Sequence, residues 1–394
     1  MKQTGRTGGA LRQVTLAALW RRRTASLLLA LAAALSAAAS CLLQGLTARQ
    51  EAAIEEMIDN TAIQCIVTNA QGTGTGNLQM VHGFVDMLTG RRHEQGCWLD
   101  QYVKNVRAKA SAKLESPQGM ELRRILSFDS DPALSAGEGA SIQMEEGWTE
   151  EALRSDSRVC LIPEGMETGT NEAGQETVYV SMEDGIGVEL QVAGRVSGGP
   201  GNVIWCPFYM PRQDGISELI WVETCSFDIG DNRRLEECRA AIYEIFVEPK
   251  PANISDIYTQ GVLVQDEAYR NTLAEFQSNL SMLRLLLPVL IVLCGGIGFL
   301  AGYLTARGRI REFAVMRCLG VKRRQIFSQV LGEHLLLTGI GALAGMLALP
   351  LAEEISGDLL LRTVLLLAAY LAGSAAAVGG ITRVNVMKLL REEE

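Results

Sequence analysis

Two uncharged stretches flank a short, strongly basic segment, and this arrangement restricts the possible folds more than any other feature. Residues 285–306 form a run of 22 residues without a charge. A helix of that length covers about 33 Å, enough to cross the hydrocarbon layer of a bilayer. Residues 307–326 then hold seven basic residues and one acid, and the chain turns apolar again up to Pro350. By the positive-inside rule this joint is expected in the cytoplasm. Within it Phe313, Met316, Leu319 and Ile326 fall at helical spacing. The spacing predicts a short amphipathic helix along the inner membrane surface, broken at Gly320.

Two more spans follow from the same test. Residues 24–48 are uncharged for 25 residues, and 363–382 form a final apolar stretch. Residues 1–23 carry six basic residues and no acid, with Trp20 placed for the headgroup level. The expected order is therefore an amphipathic N-terminal helix (1–23), a first span (24–48) retained rather than cleaved, and a large outer domain with stalk helices (49–280). A second span (281–306), the joint (307–328), a third span (329–352), an outer loop (353–362), a fourth span (363–382) and a cytoplasmic tail (383–394) complete it. Both termini are expected inside the cell membrane.

The net charge of −9 conceals an asymmetry. Residues 48–280 carry 37 acids and 18 bases, a balance of −19, whereas the remainder stands at +10. An acidic outer domain between basic membrane edges fits this split, and nucleic acid is excluded as a partner. Six of the nine cysteines (Cys65, Cys97, Cys160, Cys206, Cys225 and Cys238) fall in the outer domain, where bridges and buried thiols are both open. No C-x-x-C pair occurs and there are only three histidines, so no metal site is expected.

Residues 63–68 alternate like a strand, and the Gly-rich 72–77 is a turn, since it lacks the Lys-Ser/Thr of a phosphate loop. Leu78, Val81, Val85 and Leu88 then give helical spacing. Short strands are expected at 120–128, 141–145, 158–162, 177–182, 188–196 and 202–206. A strand at 219–227, a helix at 232–246 and a strand at 261–265 follow. From Asp266 a long helix runs toward the second span, with Pro288 a candidate hinge. Glu333 and His334 open the third span, and Glu333 is expected to pair with an arginine of the joint.

The joint spells R-x-R-x-R-E-x-A-x-M-R-x-L-G-x-x-R-R-Q-I, followed by Glu333, Gly339, Gly341 and Gly345 in the pattern E-x-x-x-x-x-G-x-G-x-x-x-G. This resembles the signature of FtsX-like permeases, the membrane subunits of MacB-type (type VII) ABC transporters. The run Gly147-Trp148-Thr149-Glu150-Glu151 and the strands after it more loosely resemble the MacB periplasmic core. The resemblance implies four transmembrane helices plus an α+β extracytoplasmic domain, a mixed α/β subdomain with an inserted β-rich one. It implies that the joint is a coupling helix for a cytosolic ABC ATPase dimer, with Arg311, Glu312, Arg317, Leu319, Gly320, Arg323, Arg324 and Gln325 at the contact.

No G-x-x-x-x-G-K-[ST] motif occurs, so ATP is expected on a separate partner chain and no cofactor on this one. No catalytic constellation stands out, and no enzymatic activity is expected. Small residues four apart (Gly298 and Gly302, Gly341 and Gly345, Ala376 and Gly380) allow close helix packing among lipids, and one such face is expected to meet a second permease subunit. The implied function is mechanotransmission: ATPase closure moves the outer domain to export or extract a peptide, lipid or lipoprotein. Two rivals are an FtsX-like regulator of a cell-wall hydrolase and a membrane-anchored receptor without an ATPase.

Overall fold

The computed structural model describes residues 23–92, 99–134, 140–182, 185–212, 219–247, 260–347 and 357–383. The N-terminal amphipathic segment, His93, Cys97 and the acidic loop residues Glu353 and Glu354 lie outside them. The chain divides into a helical unit, residues 1–55 with 273–394, and a second unit, residues 56–272.

The second unit is built on strands. In order they are β1 (Gln64–Thr68), β2 (Met80–Val81), β3 (Val103–Ser116), β4 (Glu121–Ile125), β5 (Ser141–Met144), β6 (Val159–Pro163) and β7 (Gly169–Thr170). They continue as β8 (Glu176–Met182), β9 (Gly187–Ser197), β10 (Val203–Pro207), β11 (Trp221–Val222), β12 (Thr224–Ile229) and β13 (Gly261–Val264). Short helices α2 (Gly83–Leu88), α3 (Glu151–Arg154) and α4 (Leu235–Ile242) lie among them, after a long α1 (Arg23–Asn60).

β3 organises this unit. Its first part pairs antiparallel with β12, extending the order β13-β1-β12-β3. Phe84 of α2 and Phe227 of β12 both stack on Phe246 in the turn after α4, with centroids 5.1 and 6.4 Å apart. The later part of β3 pairs with β4 and then β8, and the pairings β3-β4-β10-β6-β9-β8-β3 close a ring of six strands. The β-rich part is thus inserted between β3 and β12, and the two parts share one strand.

Strand alternation explains why all five residues of β6 and of β10 are buried. Cys160, Ile162, Ile204 and Cys206 join Leu122, Leu190 and Val180 in one core. Val159, Leu161, Val203 and Trp205 join Ile125, Leu134 and Leu153 in the other. Each large aliphatic side chain so buried stabilises by roughly 1.5–3 kcal/mol.

The strand expectations from 120 to 206 correspond to β4, β5, β6, β8, β9 and β10, with ends shifted by a few residues. Two readings are corrected. Residues 78–88 are not one helix: Met80–Val81 pair with Trp221–Val222, and only Gly83–Leu88 are helical. Residues 219–227 are two strands, β11 and β12, the first pairing only with β2. The turn at 72–77 is held by Asn69, whose Oδ1 accepts from the Thr73 N–H at 2.9 Å.

The described cysteines are all free thiols, and those of the second unit are buried. Burial pushes the thiols of Cys65 and Cys225 up to about 12, so they stay protonated and unreactive.

Asp131, 2% exposed, is a polar anchor in the second core. It accepts from the Trp205 indole N–H at 2.9 Å and from Arg123 Nη1 at 2.9 Å. Desolvation pulls its carboxyl upward, but these two donors together with the charges of Arg123 and Lys109 hold the group below the ordinary carboxylate range. Stability from a depressed carboxylate is fully present above the unfolded value near pH 4 and drains away as pH falls through the folded one. Asp131→Asn is expected to cost roughly 1–3 kcal/mol at neutral pH and to flatten acid unfolding below about pH 4. Trp205 emission followed against urea at several pH values checks both.

The helical unit contains most of α1 and of α5 (Glu267–Arg307), with α6 (Ile310–Cys318), α7 (Arg323–Leu347) and α8 (Gly357–Arg383). Among the described residues, four helical stretches are long and apolar enough to cross a membrane: Leu27–Asn60, Glu267–Arg307, Arg323–Gly345 and Leu361–Thr382. Leu28, Leu35, Leu285, Leu293, Leu300, Leu336, Leu343 and Leu361 are all exposed on them, as lipid-facing residues would be. α5 is continuous through Pro288.

Candidate coupling site

The joint is a helix held between two tight turns. Gly308 and Arg309 donate backbone N–H bonds to Leu304 and Ala306, so α5 closes before α6 begins. At the far end Val321 N–H bonds the Met316 carbonyl and Gly320 N–H that of Arg317, both at 3.0 Å. That is a Schellman motif, and it requires a left-handed residue after the cap. Gly320 supplies it with φ +86°. The chain then enters α7, where the Gln325 Oε1 accepts the Lys322 backbone N–H at 3.2 Å, half of a capping box.

One side of α6 is anchored. Phe313 packs with Ala306 of α5, Ile326 and Val330 of α7 and Val378 of α8, flanked by Met316 and Val321. Arg309 is 5% exposed. Its Nε donates to Glu312 at 3.0 Å, its Nη1 donates to Glu333 of α7, and its guanidinium lies over the Phe313 ring. The expected pairing of Glu333 with a joint arginine is therefore present, and Arg309 is the arginine. Arg309 is absent from the contact residues implied by the resemblance. The signal for it was Glu333, an acid among apolar residues that needs a cation.

The other side is open. Arg311, Arg317, Arg323 and Arg324 are exposed, as are Val315 (60%) and Leu319 (79%). Leu319 was expected on the apolar face with Phe313 and Met316, and the structure corrects this. Six residues of helix rotate by about 240°, so strict i+3 spacing has drifted some 120° from Phe313 by that point. Leu319 also caps the helix rather than belonging to it. Anchoring of α6 by the neighbouring helices, rather than by lipid alone, is a second departure from the surface-helix expectation. Of the remaining contact residues, Glu312 turns to Arg309, Gln325 caps α7, and Gly320 makes the turn.

Behind the joint the helices approach closely. A Cβ on Gly298 would lie 2.1 Å from the Tyr370 carbonyl oxygen, and one on Gly302 2.7 Å from Ser374 Oγ. Gly341 and Gly345 press likewise on the carbonyls of Ala30 and Ala34, at 2.2 and 2.4 Å. These four glycines are occupied by α5–α8 and α7–α1 contacts within the chain, not by a second subunit. His334 Nδ1 and Ser374 Oγ, 2.8 Å apart, fasten α7 to α8.

Residues 284–386 match the family described as FtsX-like permease C-terminal. They form an FtsX-like permease domain. Over 136 residues the chain is 30% identical to a pyoverdine export ATP-binding/permease protein, PvdT, of Pseudomonas entomophila (strain L48). That match covers 34% of this chain and 19% of the relative, so the chain spans about a fifth of the curated protein it matches. The crystal structure of the periplasmic region of MacB from Actinobacillus actinomycetemcomitans aligns at 14% identity and a TM-score of 0.30, over 55% of this chain and 94% of that one. The matched segment holds the second, third and fourth membrane-length helices and the whole joint. Among the described residues no three His, Cys, Asp or Glu side chains group as a metal site.

Proposed function

We propose that this chain is the permease subunit of an ABC transporter whose joint is pressed by a cytosolic ABC ATPase dimer. The observation that carries the reading is the two-sidedness of α6. Phe313 and the Arg309–Glu333 pair fix one side to the bundle, while Arg311, Arg317 and Leu319 project from the other. A load on such a helix moves the spans behind it instead of sliding past them. Arg323, Arg324, Glu312, Gly320 and Gln325 complete the contact segment.

The charge split supports a cytoplasmic joint, cytoplasmic termini and an acidic unit outside. α5 continues without a break from the joint to Glu267, and an unbroken helix transmits displacement with little internal loss. Near its middle, Arg284 pairs with Glu51 of α1 at 2.8 Å, so the two helices would move together. The moving outer domain would export or extract a peptide, lipid or lipoprotein. A second permease, identical or related, would meet faces other than those of the four interhelical glycines.

The test is co-purification in detergent with a co-expressed ABC ATPase from the same organism, comparing wild type with Arg311→Glu plus Arg317→Glu. Capture and ATPase stimulation are expected for the wild type, with binding weakened at least about tenfold in the double variant. Equal capture by both, or none by either, rejects the coupling role and leaves the anchored receptor.

A further inference from the structure

An open groove of about 720 Å³ lies between the start of α7 and the end of α8. Arg323, Arg324 and Phe327 line one wall, and Ala376, Gly379 and Gly380 the other. Two cations therefore face a wall of small residues, which Ala375 and Thr382 complete. Arg323 is held across the groove by a 3.2 Å bond from its Nη2 to the Gly379 carbonyl. A carbonyl orients a guanidinium without neutralising it, and neither arginine has a carboxylate partner among the described residues. Both residues also sit in the first turn of α7, a 25-residue helix whose leading N–H groups add positive potential. A Cβ on Gly380 would meet nothing within 4 Å, so the floor is open rather than packed by the chain itself.

The chemistry that satisfies both walls is an anionic phosphate joined to an apolar chain. We propose that this groove binds an anionic phospholipid of the surrounding bilayer, its headgroup phosphate on Arg323 and Arg324 and one acyl chain along Ala376 and Gly380. Basic pockets between spans at the inner membrane surface take such headgroups. A second copy of the chain would also fit the small-residue floor, but would have to bring carboxylates to the two guanidinium groups it buried. Arg323 and Arg324 border both this groove and the proposed ATPase contact, whereas Arg311 and Arg317 lie outside the groove, so the lipid test is made on the permease chain without an ATPase.

The full chain, delipidated in neutral detergent, is titrated with phosphatidylglycerol or phosphatidylcholine and read by native mass spectrometry. One phosphatidylglycerol is expected to be retained about tenfold more tightly than phosphatidylcholine. Arg323→Gln plus Arg324→Gln should abolish that preference. Gly380→Leu, which enters open space and leaves both arginines, should lower retention of either lipid while thermal stability in detergent is kept. Inorganic phosphate in excess should not displace the lipid. Equal lipid retention by wild type and both variants would overturn the proposal. So would displacement by inorganic phosphate, which would mark a simple anion site, or a wild-type dimer that Gly380→Leu dissociates, which would mark a protein interface.

Discussion

Glu333→Ala is expected to release the joint from the third span, at a cost of about 3–5 kcal/mol. The cost is that of leaving the Arg309 guanidinium buried with Glu312, which is itself half exposed, as its remaining acidic partner. Arg309→Ala should destabilise as well, because it leaves the buried Glu333 without its cation. Removing both charges together, as Arg309→Met with Glu333→Leu, should restore most of the stability, since buried ion pairs contribute little against well-packed apolar residues. Thermal unfolding in detergent of wild type, Arg309→Met, Glu333→Leu and their combination, followed by fluorescence-detected size exclusion, forms the double-mutant cycle. The ATPase stimulation of the stable double variant then separates anchoring from folding. If the pair serves only stability, stimulation survives; if it transmits load, stimulation falls although the protein is intact. A cycle with strictly additive single effects would remove the pair from the mechanism.

Gly298→Ala is expected to force α5 and α8 apart. Its new Cβ would stand 2.1 Å from a backbone oxygen of Tyr370, which cannot rotate out of the way. The expected loss is about 2–3 kcal/mol, typical of overpacking, and it outweighs the roughly 1 kcal/mol that alanine gains over glycine in a helix. Gly296→Ala, two residues earlier on the same helix, meets nothing within 4 Å and should be neutral or slightly stabilising. The two variants share composition and chemistry, so a difference in melting temperature isolates the contact. Equal melting temperatures would mean that α5 and α8 are not in the described contact.

The same glycines show how far the sequence could be read. Spacing of four marked Gly298 with Gly302, and Gly341 with Gly345, as surfaces for close approach, because small residues are what helices need when lipid supplies no hydrophobic drive. Spacing says nothing about the partner. Tyr370 and Ser374 on one side, and Ala30 and Ala34 on the other, are distant in the chain, and only packing brings them there.

β3 is the clearest element hidden from the sequence. Its residues, VKNVRAKASAKLES, are rich in Lys, Arg and Ala and show no clean alternation. Local preference favours a helix there or leaves it open. It becomes a strand because β12, β4 and β8 offer it hydrogen bonds along its length, a tertiary effect that local propensity does not carry. Closure of the six-strand ring follows from that shared strand and was equally out of reach.

The sequence by itself determined the membrane spans, the basic joint, its break at Gly320 and the need of Glu333 for a cation. These depend on composition and local backbone geometry: uncharged length, charge placement, a residue free to take positive φ, and the cost of an unpaired acid among apolar residues. Only the tertiary structure decided which arginine pairs with Glu333, which side of the joint helix is anchored, which glycines meet which carbonyls, and that β3 joins the two parts of the second unit. Each of those depends on residues far apart in the chain meeting in space, and a local pattern can show that a partner is needed without showing where it comes from.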